Sequence, residues 1–170
     1  MKSPIRVVLT EPELEYATSI GELRHSECVK RGYPNKHGYS GEDAGIDILG
    51  ACGELAFCKG IGLEWEASIN SFKAPDAGSD IQVRTSPCKA AVPPDNFGRL
   101  IVREEDNIDH RYVLVVGNPP NFVIKGWIRG SNARQDKWIR IESGRPPAWF
   151  VPFQELDDDL SGFMKATGAA

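Results

Sequence analysis

Five short β-rich runs, each cut off by proline, glycine or asparagine, follow two long helix-compatible stretches. That order restricts the chain to a sheet with helices packed against it. The runs are Leu63 to Ala67, Ile81 to Thr85, Leu100 to Arg103, Tyr112 to Val116 and Phe122 to Ile128. Branched and aromatic residues concentrate in them, and the breaks between them are turn formers. Ahead of them, Thr10-Glu11-Pro12-Glu13 has the form of a capping box with proline in the first turn. Leu14, Ala17, Gly21 and Leu23 follow at helical spacing, so a helix is predicted from Glu11 to Arg31, stopped by Gly32. Residues 32–41 are a loop by composition. A second helix is predicted from Glu42 to Lys59, ended by Gly60. Gly50 and Gly53 each disfavour it by about 1 kcal/mol relative to alanine, which points to close packing against a neighbour. Trp149-Phe150-Val151-Pro152 reads as a short or edge element, because proline cannot donate to a ladder. Leu156 to Met164 reads as a last helix, and Gly168-Ala169-Ala170 as a frayed end. The expected fold class is α/β (α+β), a central mixed sheet with flanking helices.

The 170 residues are enough for one domain with a core, and the 41% hydrophobic and 26% charged shares are ordinary for a globular chain. One domain over residues 1–170 is expected. Only a short apolar run, Ile5 to Leu9, follows the amino terminus, which fits neither a signal peptide nor a membrane span, so a cytoplasmic protein is expected. Cys28, Cys52, Cys58 and Cys88 form no Cys-x-x-Cys pair and read as buried thiols. His25 and Cys28 supply at most half a zinc site. The net charge of −4 argues against nucleic acid until its distribution is read. From Lys59 to Val151 there are thirteen basic and eleven acidic residues, and the acid concentrates at the two ends of the chain. A locally basic face binds phosphate even on an acidic chain, with modest, salt-sensitive affinity.

Asp47 and Glu54 lie seven apart and share a face of the second helix. Solvation is the usual fate of such a pair, but Glu54 stands between Gly53 and Leu55-Ala56-Phe57, on the apolar half, where a carboxylate needs a partner, a cation being one candidate. Lys73-Ala74-Pro75-Asp76-Ala77-Gly78 has the composition of a turn. Asp80-Ile81-Gln82-Val83-Arg84 then alternates, turning Ile81 and Val83 to the core and Asp80, Gln82 and Arg84 the other way. A plain half-exposed strand satisfies this pattern. A sharper reading sets Gln82 and Arg84 beside Asp76 at the mouth of the sheet.

A helix glutamate, a turn aspartate and then acid-or-Gln, apolar, basic on a strand resembles the PD-(D/E)xK, restriction-endonuclease-like nucleases. The likeness extends to a group of small actinobacterial phage and prophage proteins. It rests on Gly53-Glu54-Leu55-Ala56, Pro75-Asp76-Ala77-Gly78, Gln82-Val83-Arg84-Thr85, Leu100-Ile101-Val102-Arg103, Gly126-Trp127-Ile128-Arg129-Gly130 and Ala148-Trp149-Phe150-Val151-Pro152, within a core of about residues 41–152. The resemblance implies a Mg²⁺- or Mn²⁺-dependent hydrolase, an endonuclease acting on DNA in the host cytoplasm. It implies Asp76, Glu54 and Gln82 as metal ligands and Arg84 as the basic residue, with oxygen ligands suited to a hard cation. Gln82 stands where the superfamily usually has an acid and Arg84 where it has lysine. Arginine clamps phosphate but does not act as a base. A nuclease-fold module that binds nucleic acid or a protein partner without turnover is therefore the alternative. Lys125, Arg129, Arg134, Lys137, Arg140 and Arg145, with Trp127 and Trp138 among them, suit phosphate contact and base stacking. The rival reading makes both tryptophans core residues and the charges solubilising.

Overall fold

The computed structural model describes residues 2–32, 44–69 and 74–164. Its elements in order are β1 (Ile5–Val8), α1 (Glu11–Lys30), α2 (Gly45–Ile61), β2 (Ile81–Ser86), β3 (Arg99–Arg103), β4 (Arg111–Asn118), β5 (Asn121–Arg129), a short α3 (Gly130–Ala133), β6 (Ile139–Arg140) and β7 (Ala148–Pro152). One sheet has the order β1-β5-β4-β2, with β2 parallel to β4 and the other pairs antiparallel; a second, antiparallel sheet has the order β3-β7-β6. This is the mixed α/β architecture expected from the sequence.

The capping box at the start of α1 is present in both directions: Thr10 accepts from the Glu13 N–H, and Glu13 accepts from the Thr10 N–H. The helix α2 ends at Ile61, followed by Gly62 in the left-handed region with φ of 75°. Its predicted start at Glu42 lies outside the described residues.

The strand β4 explains the layering. Its residues alternate between two cores, so it is buried on both faces. Val113 and Val115 join Ile81, Val83, Cys52, Ala56 and Phe57 on the α2 side. Tyr112, Leu114 and Val116 join Leu100, Val102, Val151 and Trp138 on the side of the second sheet. The parallel register aligns Val83 with Val113 and Gln82 with Tyr112. The strand β2 therefore turns Ile81, Val83 and Thr85 toward α2, and Gln82 and Arg84 toward the second sheet.

Four local expectations are corrected. Residues 63–67 form no strand; Leu63 and Trp65 instead pack against the α2 core from an irregular segment. Ile5–Val8, read only as a short apolar run, is an edge strand paired with β5. The segment 148–152 is the middle strand of its sheet, because Pro152 falls at its last position, opposite Arg99. Leu156 to Met164 is not an α-helix: a 3₁₀ turn at Ser161–Phe163 seats Phe163 edge-on against Phe57 and Trp127. The predicted frayed end at 168–170 lies outside the described residues.

Cys52, Cys58 and Cys88 are buried free thiols as expected, and Cys28 is partly exposed. Among the described residues no helix is long and apolar enough to cross a membrane.

Candidate functional site

Glu54 is 7% exposed, and its carboxylate meets a cation from the protein itself. Arg24 on α1 donates Nη1 to Oε1 at 2.7 Å and Nη2 to Oε2 at 2.9 Å, a fork-to-fork pair. Trp65 Nε1 donates to Oε2 at 3.1 Å. Asp47, one stretch earlier on the same helix face, meets His25 of α1 at 3.1 Å. The shared face of Asp47 and Glu54 is thus turned to α1. Burial disfavours the Arg24 charge, but the hydrogen bond and the charge of Glu54 outweigh it and hold its pKa above the ordinary value.

Asp76 lies at the free edge of β2. The Pro75-Asp76-Ala77-Gly78 turn is real: Gly78 has φ of 54°, and the Asp76 N–H donates to the Ile81 carbonyl at 2.8 Å. The turn brings Oδ2 of Asp76 to the Val83 N–H at 2.7 Å, on the side of β2 that no other strand occupies among the described residues. Desolvation by burial, then the nearby Glu54 charge, push the Asp76 carboxyl from its ordinary 3.8 up to about 7. The Val83 hydrogen bond and the Arg84 and Arg24 charges oppose that rise without cancelling it. Glu54 and Asp76 are therefore close enough to repel each other.

Gln82 and Arg84 stand on the other face of β2. Gln82 Nε2 lies 3.3 Å from His110 Nδ1 and 3.5 Å from the Ala74 carbonyl. Arg84 donates Nη2 to Asp106 Oδ1 at 2.7 Å and lies over the Tyr112 ring at 5.3 Å. Of the four residues named from the sequence, Glu54 therefore lies on the α2 side of β2 and Asp76 at its edge, whereas Gln82 and Arg84 lie on the side of the second sheet. Glu54 and Asp76 act on each other, the Arg84 charge reaches Asp76, and the Gln82 amide is turned to His110. The sequence reading missed Arg24, Trp65, Asp106 and His110. Only the local rule that a buried carboxylate needs a partner hinted at Arg24.

Among the described residues no group of three or more His, Cys, Asp or Glu side chains is arranged to hold a metal ion. The oxygen donors that fit a hard cation are the two carboxylates. An ionised carboxylate has about four lone-pair sites. Arg24 and Trp65 take three of those on Glu54, leaving one on Oε1, and Val83 is the hydrogen-bond donor to Asp76. Carboxylate oxygens are the donor type that a hard cation such as Mg²⁺ or Mn²⁺ takes, but the Glu54 charge is already met by Arg24.

The basic stretch divides in two. Lys125 is 8% exposed and donates to the Pro94 and Asp95 carbonyls at 2.7 and 3.0 Å, so it fastens a loop. Arg134 likewise donates Nη2 to the carbonyls of Arg103, Glu104 and Asp106. Arg129, Lys137 and Arg140 are exposed, and of these Arg129 also donates Nη1 to the Asp109 carbonyl at 2.7 Å. Trp138 is a core residue, and Trp127 donates its indole N–H to the Asp159 carbonyl at 3.0 Å. The Trp138 ring is thereby withdrawn from base stacking, and the Trp127 ring is partly buried. Compared with known proteins, the chain matches no family model, no curated protein and no solved structure.

Proposed function

We propose that this chain is a nuclease hydrolysing phosphodiester bonds in DNA with the help of Mg²⁺ or Mn²⁺, centred on Asp76 and Glu54. The observation that carries this reading is the Asp76 carboxyl. It is fixed by the Val83 N–H at the edge of β2, within the electrostatic reach of the buried Glu54 carboxylate, with its proton affinity raised. Two carboxylates that repel each other at an open edge are an arrangement that a divalent cation relieves. When bound, such an ion polarises the phosphate and makes water a stronger nucleophile.

The protein's own groups divide the remaining work. Arg24 and Trp65 hold the Glu54 carboxylate in one orientation. The Val83 N–H does the same for Asp76. The Arg84 guanidinium is steadied by Asp106, so it contributes a fixed positive charge near the strand edge rather than a base. The exposed Arg129, Lys137 and Arg140 supply phosphate attraction.

A second reading, a module that binds nucleic acid or a protein without turnover, is favoured by one observation. The Glu54 and Arg84 side chains are both engaged in ion pairs within the protein. The experiment is nicking of plasmid and cutting of single-stranded DNA with Mg²⁺, Mn²⁺ or chelator. Metal-dependent cutting that disappears in Asp76→Ala and Glu54→Ala supports the nuclease. Cutting that survives Asp76→Ala rules this site out. Silence of the wild type, with gain of cutting in the Gln82→Glu, Arg84→Lys double variant, supports the binding module.

A further inference from the structure

The outer face of the β3-β7-β6 sheet carries, besides Arg140, chemistry that the preceding assignments do not use. Leu100, Val102 and Val151 point inward and are fully buried. The register then puts Arg99, Ile101 and Arg103 of β3, Phe150 and Pro152 of β7, and Arg140 of β6 on the opposite face. Phe150 pairs directly with Ile101, and the Arg140 guanidinium lies over the Phe150 ring at 4.9 Å. The three strands contain three arginines and no acidic residue. The neighbouring acids lie beyond the strand ends, at Glu104, Glu105 and Glu142, and Glu142 has Arg145 at 3.6 Å. A chain with net charge −4 has here a cationic face with an aromatic residue at its middle.

This face also connects to the candidate site. The Asp106 carboxylate accepts the Arg103 N–H with one oxygen, at 2.8 Å, and the Arg84 guanidinium with the other, at 2.7 Å. One end of β3 is therefore tied to the edge where Asp76 lies.

We propose that this sheet face is a binding surface for single-stranded nucleic acid, with phosphates drawn to Arg99 and Arg140 and an unpaired base stacking on the Arg140–Phe150 layer. Sequence-tolerant stacking on aromatic and guanidinium planes beside a cationic track is how single strands are held. A duplex keeps its base faces internal and gains only the charge contacts. The inference rests on the reading of the chain as acting on nucleic acid, and it names the strand form.

The test is fluorescence anisotropy of a short labelled oligothymidine and of a hairpin duplex of equal length, in chelator so that nothing is cut. Thermal melting checks that each variant is folded. The wild type binds the single strand more tightly. Phe150→Leu keeps apolar contact but has no π-face, and weakens binding at least about fivefold. Arg99→Ala with Arg140→Ala lowers the slope of log affinity against log salt by about 1.4, at roughly 0.7 per phosphate. Asp76→Ala leaves binding intact. Equal affinity for duplex and single strand overturns the proposal, as does an unchanged Phe150→Leu. So does displacement by polyglutamate that is indifferent to Phe150, which marks an acidic-peptide site. Loss of the cutting assay with retention of these effects removes the nuclease and leaves the surface. Cutting that depends on Asp76 but not on this face does the reverse.

Discussion

The guanidinium of Arg24 grips both carboxylate oxygens of Glu54, joining α1 to α2 at the point where the candidate site begins. The side chains are 16% and 9% exposed, so each is a poor neighbour for water once the other is removed. Arg24→Ala or Glu54→Gln is expected to lower stability by about 3–5 kcal/mol, and the double replacement Arg24→Met, Glu54→Leu to recover much of it. Urea denaturation of the three variants measures this. Additive losses in the double variant contradict a coupled pair.

Asp76 gives the stability a distinctive pH dependence. In the unfolded chain its carboxyl titrates near its ordinary 3.8, and in the fold at about 7. Between those values the native state holds the extra proton, so this contribution is whole below about pH 4 and disappears as pH rises through about 7. Asp80, held low by its Arg111 partner, contributes in the opposite sense, losing stability as pH falls. The informative quantity is therefore the difference from Asp76→Asn, whose amide oxygen still accepts the Val83 N–H. The variant gains on the wild type as pH rises from 5 to 8, a window set by about 3.8 and 7. A pH-independent difference contradicts the raised carboxyl.

How much of this was legible locally depends on the range of the interaction. The capping box fixed the start of α1, and alternation in 80–84 located β2 and the faces of its side chains. Residues 63–67 have strand composition but give Trp65 to Glu54, and no propensity anticipates a contact made across a helix. Arg24 and Glu54 are thirty residues apart, so their pairing follows from helix packing and not from either segment. The division of the basic stretch was equally hidden, because Lys125 and Arg134 look like Lys137 and Arg140 until the loop carbonyls they fasten are known.

Gly53 in α2 has a reason that the close-packing argument anticipated, whereas a Cβ at Gly50 would meet nothing within 4 Å, so that argument fails there. A Cβ at Gly53 would stand 1.9 Å from Thr85 Oγ1 and 2.9 Å from Thr85 Cβ. Gly53→Ala is expected to destabilise by about 1–3 kcal/mol despite its better helix propensity. Thr85→Ala in the same chain removes Oγ1, a buried oxygen without a hydrogen bond, and restores part of the loss. Thermal melts of the single and double variants check it, and an undisturbed Gly53→Ala contradicts the contact.

The exposed and buried cations separate by experiment. Replacing Arg129, Lys137 and Arg140 together by alanine flattens the salt dependence of DNA binding by up to about three counterions, and the Arg129 change also lowers the melting temperature because the Asp109 carbonyl loses its donor. Lys125→Ala leaves the salt slope as it was and lowers the melting temperature, because two loop carbonyls lose their donor. An unchanged slope in the triple variant assigns those residues to solubility.

Titration calorimetry with Mn²⁺ tests the pair of carboxylates most directly. The account predicts one saturable site in the wild type, its loss in Asp76→Asn, and weaker binding in Glu54→Gln with the fold retained. A wild type that takes up no ion, or an Asp76→Asn variant that binds it undiminished, contradicts the assignment of Asp76 and Glu54 as the centre of the site.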